Sequence, residues 1–139
     1  MRSAITENRK NDVLELIVNG ADVNATLNNR NNTALMFASK KGHTEIVKAL
    51  IEKGANLDMK SIHDSTALML ASKEGHTKIV WTLIKKGASL DIKNKNGDTA
   101  LMLASKKGHT ETVQALIEEG ASLDIKNTNG DTALIIATR

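Results

Sequence analysis

The stretch from Thr66 to Thr77, TALMLASKEGHT, decides the fold of this chain, because close copies of it recur at a constant spacing. The copies begin at Thr33, Thr99 and Thr132, so that each lies 33 residues from the next. The same step separates three Gly-Ala pairs, which begin at Gly54, Gly87 and Gly120. Self-similarity with a period of about 20 to 50 residues is the sequence signature of a repeat architecture. The chain is therefore predicted to consist of stacked copies of one structural unit.

Residues 33–42 predict the first helix of such a unit. Thr33 is a favourable N-cap, because its hydroxyl accepts a hydrogen bond from an early helical N–H group. Leu35, Phe37 and Ala38 supply the apolar positions. Gly42 is expected to end the helix, since glycine adopts a positive φ without steric cost.

Residues 44–54 predict a second helix in the same unit. Glu45 is favoured there by the positive end of the helix dipole, and Gly54 marks the end. Between these two residues, apolar side chains recur with a helical period. They are Ile46, Val47, Leu50 and Ile51.

The segment that joins one unit to the next carries turn residues. Asn96-Gly97 and Asn129-Gly130 are the clearest, and Asn-Gly is the strongest short-range hairpin signal. Because a single unit cannot bury its own apolar stripe, neighbouring units must stack. The sequence therefore predicts an all-α repeat solenoid of stacked helix-turn-helix units with projecting β-hairpin loops.

A unit of this length and order resembles the ankyrin repeat. The matching motifs are the T-x-L start of the first helix, the G-H turn, the V-x-x-L-I second helix and the G-A-x-L-D entry to the hairpin. They cover almost the whole chain. One departure is regular, since the family usually has Thr-Pro-Leu-His where this chain has Thr-Ala-Leu-Met. Methionine cannot make the polar bridge of the family's histidine, so we expect Met36, Met69 and Met102 to fill space in the core.

The repeat period divides this single domain into five units. They are a partial first repeat (1–27), full repeats at 28–60, 61–93 and 94–126, and a truncated fifth repeat (127–139). The stretch from Gly20 to Thr33 is one residue longer than its counterparts, so we expect a small bulge near Asn29. The apolar segment before Arg139 lacks the polar outer face of a terminal repeat. We therefore expect either a fragment of a longer array or self-association through this end.

The composition narrows the class of protein. Hydrophobic residues make up 40% of the chain and charged residues 25%, whereas Phe37 and Trp81 are the only aromatic residues. Without cysteine, disulfides and thiolate metal sites are excluded. No secretory signal and no apolar stretch of about 18 residues is visible, so we expect no membrane span and an intracellular location. The net charge of +3 is too small to mark a nucleic-acid-binding protein.

Three sets of polar residues recur with the repeat, and we expect structural roles for all of them. Histidines at the turn between helices would sit about 10 Å apart in stacked units, too far for shared metal ligation. The aspartates at the base of each hairpin are expected to cap the local turn, and the serines to allow close packing. No nucleophile–base pair or phosphate-binding loop accompanies them, so we expect no catalytic, cofactor or metal site. The sets are His43, His76 and His109; Asp58, Asp91 and Asp124; and Ser39, Ser72 and Ser105.

The resemblance implies that a protein partner contacts the hairpin tips and the exposed face of the first helix, which together form a concave surface. Lysines dominate these positions, whereas the second helices carry balanced charge. A basic surface attracts an acidic or polar segment of a partner and speeds its capture. The predicted contact residues are Arg30, Lys40, Lys41, Ile62, His63, Lys73, Glu74, Lys93, Lys95, Asn96, Lys106 and Lys107. We therefore expect a non-catalytic protein–protein interaction module.

Two other functions stay open at this point. The same lysines would attract a polyanion, either a nucleic acid or a sulfated sugar, although the aromatic residues that stack on single strands are lacking. The near-identity of the repeats would also suit a structural or designed scaffold without a specific partner, although Thr112 in an otherwise isoleucine position resembles natural drift. Trp81 occupies a usually polar position of the second helix and is a candidate anchor on the convex side.

Overall fold

The first helix of each repeat begins where the recurrent threonine predicts. The structure is a computed structural model and describes residues 1–139. The threonine side chain accepts a hydrogen bond from the backbone N–H three residues later, at 3.3 Å in three repeats and 3.4 Å in the last. The backbone of each threonine is extended, so the helix starts at the alanine that follows. The predicted N-caps are confirmed at Thr33, Thr66, Thr99 and Thr132.

Nine α-helices and no β-strands make up the structure. They are α1 (Arg2–Thr6), α2 (Lys10–Val18), α3 (Ala34–Lys41), α4 (Thr44–Glu52), α5 (Ala67–Glu74), α6 (Thr77–Lys85), α7 (Ala100–Lys106), α8 (Thr110–Glu118) and α9 (Ala133–Ala137). Helices α1 to α8 form four helix-turn-helix pairs, and α9 corresponds to a first helix.

Glycine fixes the turn between the two helices of a repeat. Gly42 and Gly75 have φ values of 80° and 74°, in the left-handed region that favours glycine. The next repeat also approaches this turn closely, because a Cβ on Gly75 would lie 2.7 Å from Nδ1 of His109. The turn therefore requires glycine for its backbone conformation and for its packing.

Like helices of successive repeats stack in two layers. One layer contains α1, α3, α5, α7 and α9, and the other contains α2, α4, α6 and α8. Helices of the first layer approach one another more closely than helices of the second layer do. The core lies between the layers, where one leucine from each of the helices α3 to α8 is at most 1% exposed. These leucines are Leu35, Leu50, Leu68, Leu83, Leu101 and Leu116. The predicted all-α repeat solenoid is confirmed.

The recurrent methionines belong to this core. Met36, Met69 and Met102 are 2%, 2% and 1% exposed. Sδ of Met36 also accepts the backbone N–H of Thr33 at 3.4 Å, so the expectation that these methionines make no polar contact is wrong for Met36. The prediction that they pack in the core is confirmed.

The projecting loops are closed by a side chain rather than by paired strands. At the start of each tip, one side-chain oxygen accepts the backbone N–H groups of the residues two and four positions later, at 2.9 to 3.3 Å. The residues that do so are Asn28, Ser61, Asn94 and Asn127. Only one isolated β-bridge is present, between Thr26 and Thr33. Each loop is thus a tight polar turn whose shape is set by its first residue.

Backbone hydrogen bonds join the tips of successive repeats. The N–H of Ile62 donates to the carbonyl oxygen of Arg30 at 2.9 Å, and the N–H of Lys95 donates to that of His63 at 3.1 Å. The N–H of Thr128 continues the series in the next tip. The tips therefore form a continuous row along one edge of the solenoid.

The extra residue of the first loop lies earlier than predicted. The tip turn that starts at Asn28 keeps the 33-residue period of the later tips. Asn24 ends the preceding turn, yet it is 34 residues from its counterpart Asp58. The extra residue therefore lies between Asn24 and Asn28, and its prediction near Asn29 is wrong. The reason is that the side chain of Asn28 fixes the tip, so the segment before it accommodates the insertion.

Candidate functional site

The recurrent histidines bond one repeat to the preceding one. Nε2 of His76 lies 3.0 Å from the carbonyl oxygen of Lys40, and Nε2 of His109 lies 2.9 Å from that of Lys73. His43 makes the corresponding contact at 3.3 Å. These carbonyl groups end the first helix of the preceding repeat, where no intrahelical donor is available. The predicted structural hydrogen bond is confirmed, and no group of three or more His, Cys, Asp or Glu residues is arranged to hold a metal ion.

The aspartates at the base of the loops act between repeats rather than within one. Oδ1 of Asp58 accepts the backbone N–H of Ser89 at 2.9 Å, and Oδ2 accepts its hydroxyl at 2.7 Å. Asp91 accepts the N–H of Ser122 in the same way, at 2.9 Å. The local turn before Asp58 is instead capped by Asn56, whose Oδ1 accepts the N–H of Asp58 at 3.0 Å. The prediction that Asp58 and Asp91 cap their own turn is therefore wrong, because stacking brings a backbone N–H group of the next repeat within their reach.

The recurrent serines have no neighbours that would activate a nucleophile. Ser39 and Ser72 are 0% exposed, and their hydroxyl oxygens have no hydrogen-bond partner. Ser105 donates to the carbonyl oxygen of Leu101 at 2.8 Å. A nucleophilic serine needs a base within hydrogen-bonding distance, and none of the three bonds to a histidine or a carboxylate. The serines serve as small residues between closely packed helices.

All twelve predicted contact residues are exposed. The first helices present six of them at their ends, namely Lys40, Lys41, Lys73, Glu74, Lys106 and Lys107. The loops present the other six, namely Arg30, Ile62, His63, Lys93, Lys95 and Asn96. The residues are therefore accessible to a partner without a conformational change.

The helix ends and the loop tips share one surface. Nζ of Lys106, in the last turn of α7, lies 2.7 Å from Oδ2 of Asp98, which precedes the same helix. Arg139 makes the corresponding contact with Asp131, through two hydrogen bonds of 2.7 and 3.0 Å. A side chain at this position therefore runs back along its helix to the loop tip. We call this shared area the concave surface, after the concave side that the resemblance to ankyrin repeats predicts.

Most basic side chains of the concave surface have no acidic partner. The seven ion pairs of the structure include none of Arg30, Lys40, Lys41, Lys73, Lys93, Lys95 and Lys107. Lys93 instead donates to the backbone oxygen of Lys126 at 3.3 Å. Lys106 alone among the predicted contact lysines is neutralised, because it pairs with the buried Asp98. Arg30 and these six lysines therefore carry positive charge that no ion pair within the chain offsets.

A family model of ankyrin repeats, in three copies, matches residues 1–94 and 87–139, and thus the whole chain. The chain belongs to the ankyrin-repeat family. Ankyrin repeats are generally protein–protein interaction modules that bind protein partners, and the family is typically non-catalytic. No curated protein matches the chain.

None of the nine helices combines the length and the apolar character that crossing a membrane requires.

The convex side of this ankyrin-repeat stack differs in its charge pairing. Some lysines of the second helices form ion pairs with glutamates, as Lys48 does with Glu45 at 3.7 Å and Lys85 with Glu119 at 3.8 Å, whereas Lys78 forms none. Trp81 lies there half-buried, with Nζ of Lys85 5.6 Å from the centre of its ring. It borders a shallow groove of about 390 Å³ between α4 and α6. Trp81 is therefore separate from the concave surface, and its predicted role as an anchor stays a prediction.

Sequence reasoning missed the buried acids of the ankyrin tips. No role is predicted from the sequence for Asp98 and Asp131, which are 1% and 6% exposed and each bond to a cation eight residues later. The signal that was available is this spacing, an acid directly before the N-cap threonine and a cation in the last helical turn.

Proposed function

We propose that this ankyrin-repeat domain is a non-catalytic module that binds an acidic or polar segment of a partner protein on its concave surface. The row of tips and the ends of the first helices extend across the full repeats at 28–60, 61–93 and 94–126, which is our proposed division of the chain. An extended segment that follows this row meets lysines from every repeat. The proposal rests on the charge and the accessibility of these lysines.

The observation that carries the proposal is the contrast between the two sides of the stack. On the convex side, Lys48 and Lys85 are paired with glutamates, and the lysines there without an ion pair are balanced by glutamates without one. On the concave surface, Lys40 and Lys73 are exposed and make no ion pair. Unpaired charges of one sign raise the local concentration of an oppositely charged ligand and accelerate its association. An acidic segment therefore gains more by binding the concave surface than by binding the convex side.

The double variant Lys40→Glu/Lys73→Glu is expected to weaken partner binding at least about tenfold, because two favourable contacts become repulsive. A matched control is Lys53→Glu/Lys86→Glu, which makes the same change of charge at the ends of α4 and α6. Lys106 is unsuitable for this test, since a glutamate there would face the buried Asp98. The measurement is a pull-down from a lysate of the source cells, first at about 0.1 M and then at about 1 M salt, where the screening length falls from about 10 to 3 Å.

Three outcomes separate the functions. A protein partner that is retained by the control, lost by Lys40→Glu/Lys73→Glu and weakened by salt supports the proposal. A partner that both variants retain contradicts it and directs attention to Trp81 instead. Capture that disappears after nuclease or heparinase treatment contradicts it in favour of polyanion binding.

A further inference from the structure

The buried Asp98 shows how this surface holds a carboxylate. Its Oδ2 accepts from Nζ of Lys106 at 2.7 Å, and its Oδ1 accepts from Nδ2 of Asn127 at 3.0 Å. The lysine comes from the same repeat and the asparagine from the next tip. Charge-assisted hydrogen bonds of this kind are about twice as strong as neutral ones. Both oxygens of Asp98 are thus satisfied by donors that recur in the sequence.

One repeat earlier, the same two donors are present without the acid. Ser65 replaces Asp98, Lys73 replaces Lys106 and Asn94 replaces Asn127, each 33 residues earlier. Neither Nζ of Lys73 nor Nδ2 of Asn94 hydrogen-bonds to a protein acceptor, whereas both of their counterparts hold Asp98. The repeat therefore keeps the donors of the carboxylate contact but not the carboxylate.

The donor group of Asn94 is already oriented. Its Oδ1 accepts the backbone N–H groups of Asn96 and Asp98, both at 2.9 Å. Oδ1 of Asn127 accepts two N–H groups in the same way, at 3.0 Å. Nδ2 of Asn127 donates to Asp98 of the preceding repeat, and since the amide oxygen is fixed in the same way in both tips, the same direction follows for Nδ2 of Asn94. The donors at Ser65 are therefore preorganised, which reduces the cost of binding.

We propose that Lys73 Nζ and Asn94 Nδ2, beside the short side chain of Ser65, bind a carboxylate from the acidic segment of the partner protein. This inference rests on the proposed function and names the contact that selects the partner. The incoming Asp or Glu carboxylate lies between Lys73 and Asn94. The carboxylate of Asp98 lies between Lys106 and Asn127 in the same way. Each oxygen of the incoming carboxylate accepts one hydrogen bond.

The neighbouring charges favour an isolated carboxylate over a polyanion. Glu74 is exposed beside Lys73, and the half-buried Asp64 lies beside Ser65. A nucleic acid places a negative charge on every residue of its backbone, so it would bring several phosphates near these two acids. A protein segment with a single acidic side chain at this point avoids that repulsion.

The repeat that precedes the one containing Ser65 offers a weaker version of the carboxylate site. There Asn32 stands in the position of Ser65, and Ser61 replaces Asn94 as the residue of the following tip. The amide of Asn32 occupies the volume of a carboxylate, and a hydroxyl replaces the second NH₂ donor. Only the repeat that contains Ser65 combines a short side chain with both donors.

The site can be tested with ¹⁵N-labelled protein and acetylated, amidated hexaglutamate as the probe. The side-chain NH₂ signal of Asn94 is expected to shift on titration, whereas that of Asn127, whose acceptor is Asp98, stays in place. Asn127 is thus an internal control for non-specific effects of charge. Equal shifts of both signals, or none for Asn94, would overturn the site.

Two substitutions sharpen this test. Ser65→Asp supplies the carboxylate from within, so it is expected to move the Asn94 signal in the absence of peptide and to weaken hexaglutamate binding about fivefold to tenfold. Lys73→Gln removes one donor at an exposed site and is expected to weaken binding by a similar factor, which tests the site even if Ser65→Asp does not fold. Binding that is unchanged in both variants contradicts the site.

The experiments distinguish a failure of the carboxylate site from a failure of the proposed function. If the pull-down partner is lost by Lys40→Glu/Lys73→Glu but retained by Ser65→Asp, the concave surface binds the partner while the carboxylate site is wrong. If none of these variants loses the partner, both proposals are wrong. An oligothymidine that shifts the Asn94 signal at lower concentration than hexaglutamate overturns the assignment to a protein carboxylate.

Discussion

Leu68→Ala is expected to lower the free energy of unfolding by about 2–5 kcal/mol, the usual range for a buried leucine replaced by alanine. Leu68 is 1% exposed at the start of α5, in the middle of the first-helix layer. Its loss leaves a cavity beside both neighbouring repeats, which cannot collapse without disturbing their own stacking. Urea unfolding followed by circular dichroism measures the change.

The matched control is Leu123→Ala, because that leucine is 52% exposed. We expect it to cost less than about 1 kcal/mol, since little buried contact is lost. Equal effects of the two substitutions would show that the interior between the two helix layers is not the core of the stack.

Gly75→Ala is expected to destabilise the chain by about 2–4 kcal/mol. A left-handed backbone costs a residue with a Cβ about 1–2 kcal/mol, and Gly75 has a φ of 74°. The new Cβ would also lie 2.7 Å from Nδ1 of His109, so the ring must move away from the carbonyl oxygen of Lys73. A carbonyl group that loses its partner adds a further penalty of about 1–3 kcal/mol when it is buried, and less at this partly exposed site.

Gly108→Ala separates these two contributions. Gly108 has a φ of 72°, but nothing lies within 4 Å of the position that its Cβ would occupy. Only the backbone penalty of about 1–2 kcal/mol is expected there. If urea unfolding gives equal losses for the two glycines, the contact between His109 and Lys73 does not stabilise the interface between repeats.

The sequence predicted the helices because their ends are fixed by local chemistry. Thr66 caps α5 by accepting the backbone N–H of Met69, and Gly75 ends that helix because it adopts a positive φ. The burial of Met69 also follows from the helical period alone. Each of these features depends on residues within one turn of each other, so a single repeat contains all the necessary information.

The misplaced bulge in the first loop is a local error, whereas the error at Asp58 and the omission of Asp98 concern contacts between repeats. Asp58 bonds to Ser89, which is 31 residues later and belongs to the next repeat. Its role therefore depends on the distance between stacked repeats and not on the local turn. The pairing of Lys106 with Asp98 also requires Asn127, from the next tip, to complete the hydrogen bonds of the carboxylate. These distances are set by the packing of whole repeats, which the period predicts only approximately.

The repeats are alike in their core and differ in their polar positions, and those differences carry the information about binding. Ser65 and Asp98 occupy the same place in successive repeats, yet one leaves its lysine free and the other neutralises it. Since many unrelated functions share one fold, such positions distinguish this ankyrin-repeat domain from others better than its helices do.

The measurement that tests the concave surface most directly is site-specific photo-crosslinking to the captured partner. Benzoylphenylalanine is placed either at Lys95, on a loop tip, or at Lys53, at the end of a second helix; both positions are exposed. We predict a crosslinked partner from position 95 and none from position 53. A partner that crosslinks from position 53 and not from position 95 would contradict binding on the concave surface.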